Sequence, residues 1–444
     1  MSPAHRLTAL AAVLLSMSAA PQAQNLPRYT MTTLSIPVGA SHSTAFTLDA
    51  AGNARGSINT DTAYTTLCGG ASGTFWDTLL LRSCTATRYS TQEALWPAST
   101  ALQQAATLGS SDFVTVGASS NGTLVGVRGT YVGKEVGLWD RTVFNASALY
   151  GYNSRTESIT PWRVAQVINQ ANADIGTSNK SIVLKTGTTI SSVPFTASTG
   201  LRLGATRTWY TQVRGISGTG VVLVNATNDL SSVPYLLTNG RYTRLNDSLA
   251  PGQLLGTAMN DAGAVVGVRW VTRLDTDLAD PLVPVRWQNG VAVELGGPEL
   301  RGYIPEAVNP SGQMLLHKVT RPSGRDFHQA AVWFNGALTP LVAPPDDGTQ
   351  GKDPYGNPYG VVPMALNSKG HVTGCGVFPF VWRDGVMINL NQVLAAQGLR
   401  TPNGNPLSCV AAINDQGVIL ANYPLSTPQK AQAGYGWVRM APLP

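Results

Sequence analysis

A short turn pattern, apolar–Asn–x–x–Gly–x–apolar–apolar–Gly, returns along this chain at a near-constant interval. Its clearest copies are Met259-Asn260-Asp261-Ala262-Gly263-Ala264-Val265-Val266-Gly267, Val308-Asn309-Pro310-Ser311-Gly312, Leu366-Asn367-Ser368-Lys369-Gly370 and Ile413-Asn414-Asp415-Gln416-Gly417. Weaker copies stand at Leu48-Asp49-Ala50-Ala51-Gly52, Ser119-Ser120-Asn121-Gly122, Ile168-Asn169-Gln170-Ala171-Asn172 and Ile216-Ser217-Gly218-Thr219-Gly220. Gly122 to Gly417 covers 295 residues in six intervals, a period of about 49. Asn, Asp or Ser at the first position bonds its side chain to the backbone ahead and opens a turn. The fourth position calls for positive φ, which Gly adopts freely and Asn tolerates. Each copy therefore predicts a tight hairpin between two apolar strands.

A second hairpin follows the first. Trp287-Gln288-Asn289-Gly290-Val291, Phe334-Asn335-Gly336, Arg383-Asp384-Gly385, Thr238-Asn239-Gly240 and Leu184-Lys185-Thr186-Gly187 carry it, and a Leu (245, 295, 341 or 390) closes the next strand. Asn-Gly and Asp-Gly between apolar runs are the strongest short hairpin signals. Each unit thus has four strands, a, b, c and d. The prediction is an all-β chain forming a single β-propeller of about eight four-stranded blades, with seven as the alternative. The last unit stops after its third strand, Tyr435-Gly436-Trp437-Val438, and an orphan strand, Tyr29 to Leu34, precedes the first. We expect that N-terminal strand to complete the last blade and close the ring, removing an exposed edge. The first unit (46–110) is irregular, with an insertion expected to be a disulfide-tied loop or an added helix near Thr91–Ala106.

Composition agrees with this reading. Charged residues make only 12% of the chain, while 46 Gly and 28 Pro suit turn-rich β structure rather than helix bundles. The net charge of +6 is spread thinly, with no Lys/Arg cluster of nucleic-acid type. Residues 1–23 read as a signal peptide: Arg6, an apolar run Leu7–Met17, then Ala19, Ala20 and Ala23. That leaves 24–444 as the propeller domain, secreted or periplasmic, with no membrane span expected. In an oxidising compartment the four cysteines are expected to pair as Cys68–Cys84 and Cys375–Cys409.

The hairpin pattern, with strands ending in Trp and closed by Leu, resembles the HAF family of extracellular repeat proteins. The likeness runs from about Tyr29 to the end and is best after Ala258. It departs at the eponymous His-Ala-Phe, replaced by Pro284-Val285-Arg286-Trp287, Ala330-Ala331-Val332-Trp333 and Pro379-Phe380-Val381-Trp382. The resemblance implies secretion and a propeller-like fold, and it carries no catalytic residues.

Trp139, Trp287, Trp333, Trp382 and Trp437 share one repeat position, which reads as packing between blades. Candidate ligand-binding residues lie off that register: Trp209, Tyr210 and Trp270, with His317, Arg325, Asp326 and His328 around the 317–329 loop. If strands b and c pair there, the two imidazoles approach with a carboxylate nearby, a set able to hold a metal or to act as acid and base, while the favoured expectation is two solvated loop histidines and a turn Asp. The spacing is too loose for a metal signature, so no metal and no cofactor is assigned. The loop 346–354 is oxygen-rich but lacks EF-hand alternation, and no nucleophile elbow or His-Glu-x-x-His occurs. Glu294, Glu299 and Glu306 have no spacing that singles out a glycosidase pair. The expected function is a secreted binding module, monomeric, whose partner is a glycan or a surface protein met by the d–a and b–c loops. The alternative is an exported polymer-degrading hydrolase or lyase with its site at the channel mouth. The residues do not decide whether the chain is an enzyme.

Overall fold

A computed structural model describes residues 26–35, 40–67, 83–98, 106–111, 113–118, 124–128, 181–186, 189–194, 210–228, 231–245, 253–270, 282–320, 327–345, 360–425 and 435–444. An N-terminal strand, β1 (Tyr29–Leu34), precedes the first blade. Blade 1 comprises β2 (Ala40–Leu48), β3 (Ala54–Leu67), β4 (Ser83–Trp96) and β5 (Ala106–Ser111). Blade 2 comprises β6 (Phe113–Ala118), β7 (Leu124–Arg128), β8 (Ser181–Thr186) and β9 (Thr189–Pro194). Blade 3 comprises β10 (Tyr210–Ile216), β11 (Val222–Asn228), β12 (Ser231–Thr238) and β13 (Arg241–Arg244). Blade 4 comprises β14 (Gln253–Met259), β15 (Val265–Trp270), β16 (Leu282–Gln288) and β17 (Val291–Glu294). Blade 5 comprises β18 (Ile304–Val308), β19 (Met314–Thr320), β20 (Phe327–Phe334) and β21 (Ala337–Pro340). Blade 6 comprises β22 (Val361–Leu366), β23 (Val372–Gly376), β24 (Phe380–Arg383) and β25 (Val386–Asn389), followed by helix α1 (Leu390–Ala396). Blade 7 comprises β26 (Cys409–Ile413), β27 (Ile419–Pro424) and β28 (Tyr435–Pro442), with β1 as its fourth strand.

Every blade is an antiparallel sheet in chain order except the last, ordered β1-β28-β27-β26. The first strands meet one after another around the axis, from β2 through β6, β10, β14, β18, β22 and β26 back to β2. The fold is therefore the expected propeller, closed by the N-terminal strand as the orphan sequence implied. Tyr29 faces Pro442 and Leu34 faces Trp437. Leu443 N–H donates to Arg28 O at 2.8 Å, and Gln397 after α1 accepts from Tyr29 N–H at 2.9 Å.

The described residues form seven sheets, the alternative count rather than the favoured eight. The excess came from counting the turns at Ser119 and Ile168 as separate units. Strand β7, which follows the first of these turns, pairs directly with β8, which enters the Leu184-Lys185-Thr186-Gly187 hairpin. One blade thus uses both signals, and the Ile168 copy lies outside the described residues. The first unit also differs from one of its expected forms. No helix occupies Thr91–Trp96, which is the end of β4, and residues 99–105 lie outside the described set. The extra length of this blade includes a ladder of fourteen residues per strand between β3 and β4, Ala54 opposite Trp96 through Leu67 opposite Ser83.

The turn chemistry holds at both hairpins. Asn239, Asn289, Asn335 and Asp384 take φ of 48–52° ahead of their Gly partners, as a primed two-residue hairpin turn requires. At the a–b turns the repeat Asn works twice. Its Oδ1 accepts from the backbone N–H four residues on, at 2.8 Å for Asn260, 3.0 Å for Asn309 and 2.9 Å for both Asn367 and Asn414. Its Nδ2 donates across the blade boundary to the backbone oxygen of the next copy. Asn260 reaches Asn309 O (2.9 Å), Asn309 reaches Asn367 O (3.1 Å), Asn367 reaches Asn414 O (3.1 Å), and Asn414 reaches Asp49 O (3.1 Å). Ser217 keeps only the first role, with Val221 N–H bonded to its Oγ at 3.0 Å. At this turn the link to the next blade is a backbone one, Gly218 N–H to Asp261 O at 2.9 Å.

Among the described residues, apolar clusters fill the seams between blades. Trp287 packs with Leu223 and Leu245, Trp333 with Ala258 and Val266, and Trp437 with Ala54, Ile58 and Trp96, each across a blade boundary. The shared Trp position is blade-to-blade packing, as its register predicted; Trp139 lies outside the described residues. Cys375 of β23 and Cys409 of β26 form the expected disulfide between blades 6 and 7, 34 residues apart in sequence. Cys68 lies outside the described residues, and Cys84 sits near the start of β4.

Two stability measurements check these roles by urea unfolding. Asn367→Ser keeps a turn cap of the Ser217 kind but loses the cross-blade bond, for an expected cost of about 1 kcal/mol; Asn367→Ala loses both, for about 2–3 kcal/mol. Reducing Cys375–Cys409 is expected to cost about 3–4 kcal/mol, from the chain entropy released by a loop of this size.

Candidate functional site at the channel mouth

Each innermost strand carries a register shift at one equivalent position. The pairing skips between Ala45/Thr47, Thr115/Gly117, Val213/Gly215, Gly256/Ala258, Pro305/Ala307, Pro363/Ala365 and Val410/Ala412. A bulge kinks the strand and re-aims the extra residue. The extra residues in blades 3 to 7 are Arg214, Thr257, Glu306, Met364 and Ala411. Two opposite charges, Arg214 and Glu306, thus reach the axis from blades 3 and 5.

These side chains border a cavity of about 360 Å³ at the a–b turn end of the channel. Its wall includes Arg214, Glu306, Asp261, Asp415 and the turn residues Asn260, Asn309, Asn367 and Asn414. Apolar atoms of Ala258, Val308, Leu366 and Ile413 complete it. Burial, and then the neighbouring Asp415 carboxylate, push the Asp261 pKa above its usual value. Asp415 accepts from Ser368 N–H at 2.8 Å, which ties it to the adjoining turn. The carboxylate of Asp49 is committed to its own turn, through Asn53 N (2.9 Å) and Asn53 Nδ2 (2.8 Å).

A second feature runs outward from the wall through blade 5. Glu306 Oε1 lies 3.3 Å from His317 Nδ1, and His317 Nε2 lies 2.9 Å from His328 Nδ1. The ring centroids lie 5.1 Å apart with planes 13° apart, so the imidazoles meet edge to edge. His317 is 4% exposed and His328 5%. The β19–β20 register explains the meeting: His328 faces Val319, two residues along from His317, so the imidazoles are diagonal neighbours.

The favoured expectation of solvated loop histidines is corrected: His317 and His328 are buried on paired strands and meet, and the carboxylate beside them is Glu306. Asp326 and Arg325 lie outside the described residues, as does Trp209. Tyr210 begins β10 opposite Thr227, and Trp270 ends β15 opposite Gln253, so both stand at the loop-face ends of their strands. The cavity described here lies at the opposite mouth from the loop face expected to bind. Arg214, Asp261 and Asp415 were not singled out by the sequence reading, although the repeat held the signal. Arg214 and Glu306 each stand three residues before their turn residue, and Asp261 and Asp415 each follow the turn Asn. Among the described residues no group of three or more His, Cys, Asp or Glu is arranged to hold a metal.

No family model and no curated protein matches the chain. Among solved structures it is similar to the β-propeller domain of the Trilobed protease from Pyrococcus furiosus, at 8% identity and TM-score 0.46, over 90% of this chain and 94% of that one. It is also similar to the Pyrococcus horikoshii acylaminoacyl peptidase, at 9% identity and TM-score 0.42, over 88% of this chain and 52% of that one. The polysaccharide lyase Uly1 aligns at 10% identity and TM-score 0.39, over 96% and 94%. These likenesses do not speak to the chemistry at the channel.

Asp261 supplies a pH test. A carboxyl whose pKa rises on folding holds its proton more tightly in the folded state. That favours folding in acid, and the advantage is lost as pH climbs through the raised value. Asp261→Asn is therefore expected to raise the melting temperature slightly at neutral pH, by well under ~1 kcal/mol for so exposed a group, and to leave it unchanged in acid.

Proposed function

We propose that this chain is a secreted binding propeller that receives a polar ligand, such as the end of a glycan, at the a–b mouth of its central channel. The observation that carries this reading is the cavity of about 360 Å³ with Arg214, Asp261 and Asp415 on its wall. Its size falls within the usual range for small-ligand sites, and it combines apolar wall with a few convergent polar groups. Carboxylates accept from sugar hydroxyls and a guanidinium donates to them, so a polyol finds complementary partners from several blades. The reading includes kinship with the HAF repeat proteins, supported by the apolar-Asn-x-x-Gly turns. Export is supported by residues 1–23 and by the disulfide between blades 6 and 7. Among the described residues no helix is long and apolar enough to cross a membrane.

The test is an oligosaccharide array followed by calorimetry with whichever glycan is retained. Binding should weaken at least about tenfold in Arg214→Ala and in Asp261→Ala, the loss expected for a charge-assisted hydrogen bond. Absence of any retained glycan, or affinity indifferent to both substitutions, contradicts the reading.

A further inference from the structure

The Asn-Gly dipeptides that make the hairpins also carry a chemistry of their own. A Gly has no side chain to screen its backbone nitrogen, so that nitrogen reaches the amide carbon of a preceding Asn once the backbone is free to turn. Five Asn-Gly pairs occur in the sequence. Four lie among the described residues: Asn239-Gly240, Asn289-Gly290, Asn335-Gly336 and Asn403-Gly404, whereas Asn121-Gly122 lies outside them. All four are exposed, so exposure does not separate them. Their hydrogen bonds do.

Asn239, Asn289 and Asn335 occupy the c–d turns of blades 3, 4 and 5. Among the described residues their side-chain amides make no hydrogen bond, and neither do the N–H groups of Gly240, Gly290 and Gly336. A Cβ built on any of these three glycines would meet nothing within 4 Å, so no other part of the protein packs on the turn tip. Each turn is closed by the last pair of a short edge ladder: Thr238 with Arg241, Gln288 with Val291 and Phe334 with Ala337. The edge strands β13, β17 and β21 have four residues each and are largely exposed. Tips held this lightly open locally at small cost, and an open turn lets the Gly nitrogen reach Asn Cγ. Asn403 is held at both ends of its amide. Its Nδ2 donates to Pro424 O at 2.8 Å, and its Oδ1 accepts from Asn405 N–H at 3.1 Å. The attacking nitrogen is held too, since Gly404 N–H donates to Thr401 O at 3.0 Å.

We propose that Asn239, Asn289 and Asn335 are covalent modification sites, at which the chain loses ammonia without an enzyme, and that Asn403 is shielded from the same reaction. Solvent hydroxide takes the Gly N–H proton, and the Gly nitrogen bonds to Asn Cγ. The Cγ–Nδ2 bond breaks, and ammonia leaves with a proton from water, which regenerates the hydroxide. Water then opens the five-membered imide. Cleavage of the new Cγ–N bond leaves aspartate. Cleavage of the original backbone C–N bond leaves isoaspartate, with the chain running through the former side chain. The repeat already holds the aspartate product, because Asp384-Gly385 makes the same turn in blade 6 at φ 52°. Aspartate therefore keeps the turn and adds one negative charge at the outer edge of the blade. Isoaspartate lengthens the backbone by one carbon and does not fit a two-residue turn.

Timed incubation of the full chain in mildly alkaline ¹⁸O-water, followed by peptide mapping with mass spectrometry, reads each site separately. The label marks conversion that took place during the incubation. Asn239, Asn289 and Asn335 should each convert at least about tenfold faster than Asn403, where opening must also break three hydrogen bonds. In urea, where the turns are lost, the four rates should draw together. Conversion at Asn403 as fast as at the hairpin sites of the folded chain would overturn the proposal. So would hairpin sites that stay intact in the folded chain over the time in which the urea-unfolded chain converts them. A difference that persists in urea would assign it to the flanking residues and refute the shielding.

Discussion

The ring depends on one side-chain amide used at both ends. At each Asn copy, Oδ1 closes the local a–b turn while Nδ2 crosses to the backbone of the next blade. A single bond of this kind contributes only about 0.5–1.5 kcal/mol. Its structural effect is larger than that figure, because it couples the conformation of a turn to the spacing of two blades. Four consecutive links run from blade 4 to blade 1, and the last joins the C-terminal blade to the first. Strand β1 then latches the outer edge of blade 7, so the circle is held near the axis and at the rim.

The same constraint builds the cavity. Turns held to their neighbours form a collar, and the bulges of blades 3 and 5 bring Arg214 and Glu306 to its wall. The bulged residues of the other three blades are uncharged (Thr257, Met364, Ala411), so Arg214 and Glu306 stand out as departures from the repeat. Glu306 belongs to two features at once, since it borders the cavity and accepts from His317.

Much of the fold was legible because its signals are local. Asn-Gly dipeptides dictate positive φ, the Trp register marks the seams, and the orphan strand Tyr29–Leu34 matched a missing fourth strand. Blade number was not legible, since a hairpin signal does not say which earlier strand it pairs with; only the β7–β8 ladder resolves that. The site was legible in part. The meeting of His317 and His328 was open to the sequence only through the pairing of b and c strands, and their burial was not. Arg214, Asp261 and Asp415 were missed because their meeting depends on closure of the ring, and sequence spacing carries no information across it. The cross-blade role of Asn was hidden for the same reason, behind its ordinary role in turns.

The account rests on the repeat amides being shared between blades, and their hydrogen exchange reports that directly. Native-state NMR exchange of the Asn260, Asn309, Asn367 and Asn414 side-chain amides should show protection comparable to the backbone amides of β15, β19, β23 and β27. Side-chain amides that exchange at the rate of exposed asparagine, while those strands remain protected, would contradict it.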